Sequence, residues 1–165
     1  VTFALRPARL ADAEMIAALL RDAFGGVEEA RLVAALRAEG AVVAELVAET
    51  ADGIAGHILF SAAPIGAASA VALAPLAVAR PARRQGLGAA LVRDGLARCA
   101  AAGVTAAHVL GDPDYDARFG FQPARGMAGA PWCDHPAFQV MALGPCPAPC
   151  GAVRYARAFG VFGAG

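Results

Sequence analysis

Six consecutive residues carry the chemistry most easily read in this chain: Arg83, Arg84, Gln85, Gly86, Leu87 and Gly88. Gly86 and Gly88 have no Cβ, so the backbone there can come close to a ligand. They stand where the first unpaired amides of a following helix converge, and such a terminus binds anions. Arg83 and Arg84 add full positive charge, so the expected guest carries phosphate. Two other phosphate-binding patterns fit less well. A Walker loop needs Lys and then Ser or Thr after its last glycine, and the chain has no Lys. A dinucleotide fingerprint needs a third small residue and an acidic residue closing the next strand. Gly86-Leu87-Gly88-Ala89-Ala90-Leu91 ends in Leu instead, and Leu110 closes the strand that follows.

The elements that must position this turn follow from pattern. Thr2–Pro7 reads as a strand, and Leu10–Phe24, apolar at Ile16, Leu19, Leu20 and Phe24, as an amphipathic helix. Gly25-Gly26 separates it from a second helix, Val27–Glu39. Val42–Thr50 and Ile54–Ala62 form a hairpin about Ala51-Asp52-Gly53, because Asp-Gly supplies the positive φ of a tight turn. Val71–Ala79 is the central strand, and Gly86–Ala102 is the helix after the arginine turn, closed by Gly103. Thr105–Leu110 is the fifth strand. Asp112-Pro113 opens a short helix, an acidic N-cap with Pro just inside, which stops by Gly120. Ala137–Leu143 and Val153–Phe159 read as the last strands, joined by the stiff, proline-rich loop Gly144–Gly151.

The 165 residues, 58% of them hydrophobic, suffice for one domain, 1–165, with a sizeable core. A net charge of +0 argues against nucleic acid or an anionic membrane as partner. Val1–Arg6 has neither a basic leader nor a long apolar run, which reads as a cytoplasmic protein. Ile54–Ala79 lacks charge, but Pro64, Gly66 and Pro75 interrupt it, so it reads as two strands and a turn rather than a membrane span.

Arg83-x-x-Gly86-x-Gly88 on a strand–turn–helix resembles the pyrophosphate-binding signature of the GNAT superfamily of acetyl-CoA-dependent N-acetyltransferases. The run Val109-Leu110-Gly111-Asp112-Pro113-Asp114-Tyr115-Asp116-Ala117-Arg118-Phe119-Gly120-Phe121 resembles the VLGDPxYYxRFGF block of its YhbS-like branch. The likeness extends, less strongly, over most of residues 3–157. It implies an α/β fold (α+β, mixed sheet): the GNAT acyl-CoA N-acyltransferase fold, with a central mixed sheet splayed between strands 4 and 5 and flanked by helices. The opening would hold the pantetheine arm. Pro75 inside Val71–Ala79 then marks a bulge or an edge, or the strand end lies a few residues away.

The resemblance further implies acetyl-CoA as co-substrate, no metal, and direct attack by a primary amine of a small molecule or protein in a ternary complex. The backbone of Leu76, Ala77 and Val78 would meet the pantetheine as another strand would. Arg83, Arg84, Gln85, Gly86, Leu87, Gly88 and Ala89 would hold the pyrophosphate, with Arg84 reaching the 3′-phosphate and Phe119 beside the cofactor. An amide near Leu76 would stabilise the oxyanion, a donor whose loss costs about 2.7–4 kcal/mol of barrier.

The chain departs from its relatives at the leaving group. The family's usual proton donor is the second Tyr of the YY pair, and that position is Asp116. An ordinary Asp, with a pKa of about 3.9, holds no proton at neutral pH. Three readings stand: Tyr115 takes over, Asp116 is protonated through burial, or the thiolate leaves unassisted. Such assistance is typically worth about 10²–10⁴-fold, so a coenzyme A-binding module with weak or lost catalysis is the alternative function, and a purely structural domain a third. For the general base, Glu49 and His57 are favoured by position over Glu45, His108, Asp22, Glu28 and Glu29, and water could relay the proton. Cys133, His135, Cys146 and Cys150 are ligand types zinc accepts, but the spacings match no common finger. A Cys146–Cys150 disulfide does not suit a reducing compartment, and Cys99 reads as a small core residue. Phe24–Glu39 and the loop around Trp132 would choose the acceptor, and Glu28 and Glu29 suggest a cationic amine. The chain is expected to be a monomer or a homodimer, the latter by pairing Val153–Phe159 across subunits.

Overall fold

The computed structural model describes residues 1–164, and in it the apolar runs pair into one seven-stranded sheet. Its strands are β1 (Ala4–Pro7), β2 (Val42–Thr50), β3 (Gly53–Ala62), β4 (Ala70–Val78), β5 (Ala106–Leu110), β6 (Gln122–Pro123) and, after β7 (Met127–Ala128), β8 (Phe138–Ala142). The spatial order is β1-β2-β3-β4-β5-β8-β6, and every pairing is antiparallel except β4 with β5. The sheet is therefore mixed, as expected. β7 pairs in parallel with β9 (Gly151–Ala152) in a separate two-stranded patch.

Helices cover both faces because both are apolar. On one face, α1 (Ala13–Phe24) and α2 (Glu28–Ala38) turn Ile16, Leu20, Leu32 and Leu36 toward Val47, Leu59 and Ala77. On the other, α3 (Leu87–Ala101) lays Leu87, Leu91, Val92 and Leu96 against Leu46, Ile58, Phe60 and Leu73. Gly95 lies in the middle of α3 because a Cβ there would overlap the edge of the buried Phe60 ring. No helix among the described residues is long and apolar enough to cross a membrane.

Two irregularities open the sheet at its centre. Across β3 and β4 the register shifts: Ile58 faces Leu76 and Phe60 faces Leu73, so Leu59 stands against both Ala74 and Pro75. Pro75 thus sits in a bulge, where its missing N–H breaks no ladder bond. β4 meets β5 only at Ala70–Ala106, Val71–Ala107 and Ala72–His108. Beyond these pairs the strands part, leaving the C-terminal half of β4 without a neighbour on that side. The expected splay between the fourth and fifth strands is present.

The last expected strand is not. Val153 makes one isolated bridge to Ile65, and Arg157–Phe162 is a 3₁₀ helix rather than the end of Val153–Phe159. A strand's period of two would have placed Arg157 on one face with Tyr155 and Phe159. The helical turn instead buries the adjacent pair Ala158 and Phe159 in the α1–α2 layer and leaves Arg157 exposed. Strand-to-strand pairing of this segment across subunits loses its basis.

Candidate functional site

The arginine turn is built as its composition predicts. After β4, Arg83 is extended, Arg84 adopts φ +62 and Gly86 φ +83, so two left-handed residues fold the chain back into α3. The first amide of this helix with a backbone acceptor is that of Ala90, bonded to the Gly86 carbonyl at 3.0 Å. The N–H groups of Gln85 to Ala89 before it donate to no backbone carbonyl among the described residues, which leaves five donors at one bend and helix N-terminus. Arg83 donates from Nε to the Val78 carbonyl at 3.0 Å, fastening the turn to the end of β4. Arg84 is exposed. Gln85 donates to the Pro81 carbonyl at 2.8 Å, and Leu87 is buried beneath the turn.

The gap between β4 and β5 holds a cavity of about 450 Å³. One wall is β4 from Ala72, its last residue paired with β5, along the free edge to Leu76; the other is His108 to Asp112 with Tyr115 and Asp116. The latter two belong to α4 (Pro113–Asp116), capped by the Asp112 side chain, which accepts the Asp114 amide at 3.0 Å. Phe119, in the 3₁₀ turn that follows, meets the Tyr115 ring edge-on at 5.4 Å between centroids and has the Arg93 guanidinium over its face at 5.4 Å.

Tyr115 and Asp116 point different ways. The Tyr115 hydroxyl lies over the first turn of α3, where a Cβ on Gly88 would sit 3.0 Å from it. The Arg118 guanidinium is 4.4 Å from its ring centroid. Burial raises the phenol above its ordinary pKa, so it is a neutral O–H donor at neutral pH. Asp116 is buried and turned toward Gly111, and its Oδ2 accepts from Gln139 Nε2 at 2.9 Å. Burial also lifts this carboxyl above the usual carboxylate range, against the Gln139 hydrogen bond that favours the charged form.

Of the expected site residues, Leu76, Tyr115 and Asp116 line the cavity. Phe119 packs on the Tyr115 ring, Gly88 of the turn lies beneath the Tyr115 hydroxyl, and Ala77 and Val78 continue β4 beyond the cavity. Glu49 and His57 lie elsewhere. Glu49 faces β1, where the Arg6 guanidinium holds it at 2.9 Å and lowers its pKa. His57 is buried on the α1–α2 face with Nε2 2.8 Å from Glu45 Oε1, and that carboxylate is also bound by Arg37. Neither lines the cavity. Both lie on the strand side away from β5, separated from the gap by β4, and each is engaged in an ion pair or hydrogen bond of its own.

The far end of the cavity brings together the two segments expected to choose the acceptor, Phe24–Glu39 and the Trp132 loop, and adds the C-terminal residues Tyr155 and Phe159, which the sequence pattern assigns to a strand, and Phe162. Phe24, Glu29 and Leu32 come from α1 and α2, Trp132 from the loop before β8, and Tyr155, Phe159 and Phe162 from the C-terminal segment. A directed hydrogen-bond chain supports them: Trp132 Nε1 donates to the Tyr155 hydroxyl at 3.0 Å, which faces His108 Nδ1 at 3.3 Å. His108 Nε2 lies 3.0 Å from the Ala63 carbonyl, which can only accept. The ring proton is therefore on Nε2, and Nδ1 accepts from Tyr155. Burial depresses the His108 pKa to about 4, in keeping with a neutral ring. The distribution of these residues over four segments, up to 138 positions apart in the chain, explains why no local spacing shows that they meet.

Comparison with known proteins agrees with this geometry. The profile of the Acetyltransferase (GNAT) family matches residues 13–121. The uncharacterized N-acetyltransferase YhbS of Escherichia coli K12 is 40% identical over 116 residues, covering 68% of this chain and 70% of that protein. A crystal structure of E. coli YhbS in complex with CoA superposes with a TM-score of 0.88 at 35% identity, over 98% of this chain and 94% of that one. A GNAT family acetyltransferase of Brucella melitensis in complex with acetyl-CoA gives 0.81, also at 35% identity, over 96% and 98%.

Proposed function

Because the chain belongs to the GNAT acetyltransferase family, we propose that it transfers the acetyl group of acetyl-CoA to a primary amine of a small molecule or protein, by direct attack in a ternary complex. The observation that carries this reading is the row of unpartnered amides from Gln85 to Ala89 at the mouth of the β4–β5 gap. A diphosphate on those amides and on Arg84 leaves its attached arm beside the free edge of β4, where Leu76 to Val78 offer backbone groups. Relatives of this fold carry CoA and acetyl-CoA.

Acetyl-CoA, when bound, supplies an activated thioester carbonyl. The chain's own part is to hold the diphosphate, align the arm, keep water from the gap and deliver one proton. The nitrogen of the neutral amine bonds to the carbonyl carbon, the carbon–sulfur bond breaks with its electron pair going to sulfur, the sulfur takes the proton of Tyr115, and the proton that the acylated nitrogen then sheds restores the phenol. Tyr115 suits this role because its phenol is neutral and makes no hydrogen bond among the described residues. The raised pKa of the buried Asp116 favours a second reading, in which that carboxyl is the donor. Glu49 and His57 take no part in proton transfer here.

Release of free thiol from acetyl-CoA over a panel of amines, followed with a thiol-reactive dye, tests the activity. Coenzyme A that binds calorimetrically without thiol release for any amine would make the chain a binding module. No binding heat at all would remove the enzymatic account.

A further inference from the structure

The acceptor end of the cavity is chemically one-sided. Its aromatic rings are close-packed: Trp132 meets Tyr155 edge-on at 5.3 Å between centroids, and Tyr155 tilts onto Phe159 at 4.9 Å. Phe24 and Phe162 line the same space yet stay 47% and 39% exposed, so apolar rings stand at its entrance. Large exposed apolar groups at a concave site suit an apolar guest.

Charge narrows the guest further. The ionisable carboxyls on the cavity wall are Glu29, Asp112 and Asp116, and no arginine lines it among the described residues. Of the three, only Glu29 stands at the aromatic end. A guest carboxylate would meet no cation there, while an ammonium meets both Glu29 and ring faces. Tyr155 gives its proton to His108 and accepts one from Trp132, so toward the cavity its oxygen can only accept, as an N–H donor requires. A second ammonium on the guest would lie among rings with no further counter-charge.

Resting on the acetyl-transfer reading above, we propose that the acceptor is an apolar monoamine lacking a carboxylate, an arylalkylamine or alkylamine. Its body lies among Phe24, Trp132, Tyr155, Phe159 and Phe162, and Glu29 draws in its amine.

The test is steady-state thiol release with 2-phenylethylamine, phenylalanine, spermidine and a lysine-containing peptide as acceptors. 2-Phenylethylamine is expected to exceed each of the others in kcat/KM by about a hundredfold, as a buried charge without a partner demands. Glu29→Gln should raise its KM about tenfold while the calorimetric affinity for coenzyme A stays unchanged. Phe162→Ala should raise KM for 2-phenylethylamine more than for ethylamine. Preference for phenylalanine, spermidine or the peptide overturns the assignment and leaves acetyl transfer standing, as does an unchanged KM in both variants. Absence of coenzyme A binding overturns the functional reading itself, and this assignment with it.

Discussion

Tyr115 and Asp116 are neighbours in sequence and opposites in environment, and pH separates their roles. A proton donor fails as pH rises through its own pKa. With Tyr115 as donor, kcat should hold through and beyond the ordinary phenol range of about pH 10, because burial raises this phenol, and Tyr115→Phe should lower it by roughly 10²–10³-fold with KM little changed. With Asp116 as donor the decline would begin far earlier, and Asp116→Asn rather than Tyr115→Phe would abolish turnover. Asp116→Asn carries a stability signature as well. Its raised pKa means the charged form is the costly one in the folded state, so wild-type protein gains stability as pH falls through that pKa. The variant should therefore melt higher than wild type near pH 8, with the advantage vanishing at acidic pH where both side chains are neutral. The arginine turn was legible from six adjacent residues because its chemistry is local: glycine geometry, guanidinium charge, helix-start amides. The state of Asp116 was not, since it depends on Gln139, 23 positions away, and on burial that no spacing encodes.

Among the elements, α3 bears most directly on the site because its N-terminus supplies the turn and its body fixes that turn against the sheet. Gly95 sets how near the helix lies. Gly95→Ala forces the Phe60 ring or the helix to move, and about 1–3 kcal/mol of stability should be lost to overpacking, readable as a fall in denaturation midpoint. Coenzyme A affinity is expected to fall with it, since a displaced α3 carries its amides away from β4. The boundaries of β2 to β5 and of α1 to α3 were readable to within one to three residues, because long apolar runs, a glycine turn and glycine stops punctuate them. The C-terminal segment was misread as a strand. Its apolar residues Val153, Tyr155 and Phe159 match a period of two except at Arg157, and that single charge was the signal against a strand. Two-residue pairings such as β6, β7 and β9 carry no pattern and follow only from where the larger sheet places the chain.

For the molecule as a whole, the parted sheet couples ligand binding to folding. A ligand that bridges β4 to the start of α3 binds the folded chain alone, so coenzyme A at about a hundred times its Kd should add roughly 2.7 kcal/mol of stability. In a melting experiment this appears as a rise of about 5–10 °C. Arg84→Ala removes a cation from the turn without touching the core, and should weaken coenzyme A about tenfold and shrink that rise while leaving the ligand-free midpoint in place. The mixed, splayed architecture could be expected from sequence through two motifs in the right order. Two segments of the aromatic chamber, Phe24–Glu39 and the Trp132 loop, could be expected to choose the acceptor, but their meeting with the C-terminal 3₁₀ helix could not, because it depends on how these elements converge. One further consequence lies in that convergence. Trp132 is the chain's single tryptophan, and its indole rests on Tyr155 at the cavity wall. The molecule carries its own optical probe: a guest entering the aromatic chamber should alter the indole's emission, so occupancy by an amine can be followed in unlabelled protein before any bond is made or broken.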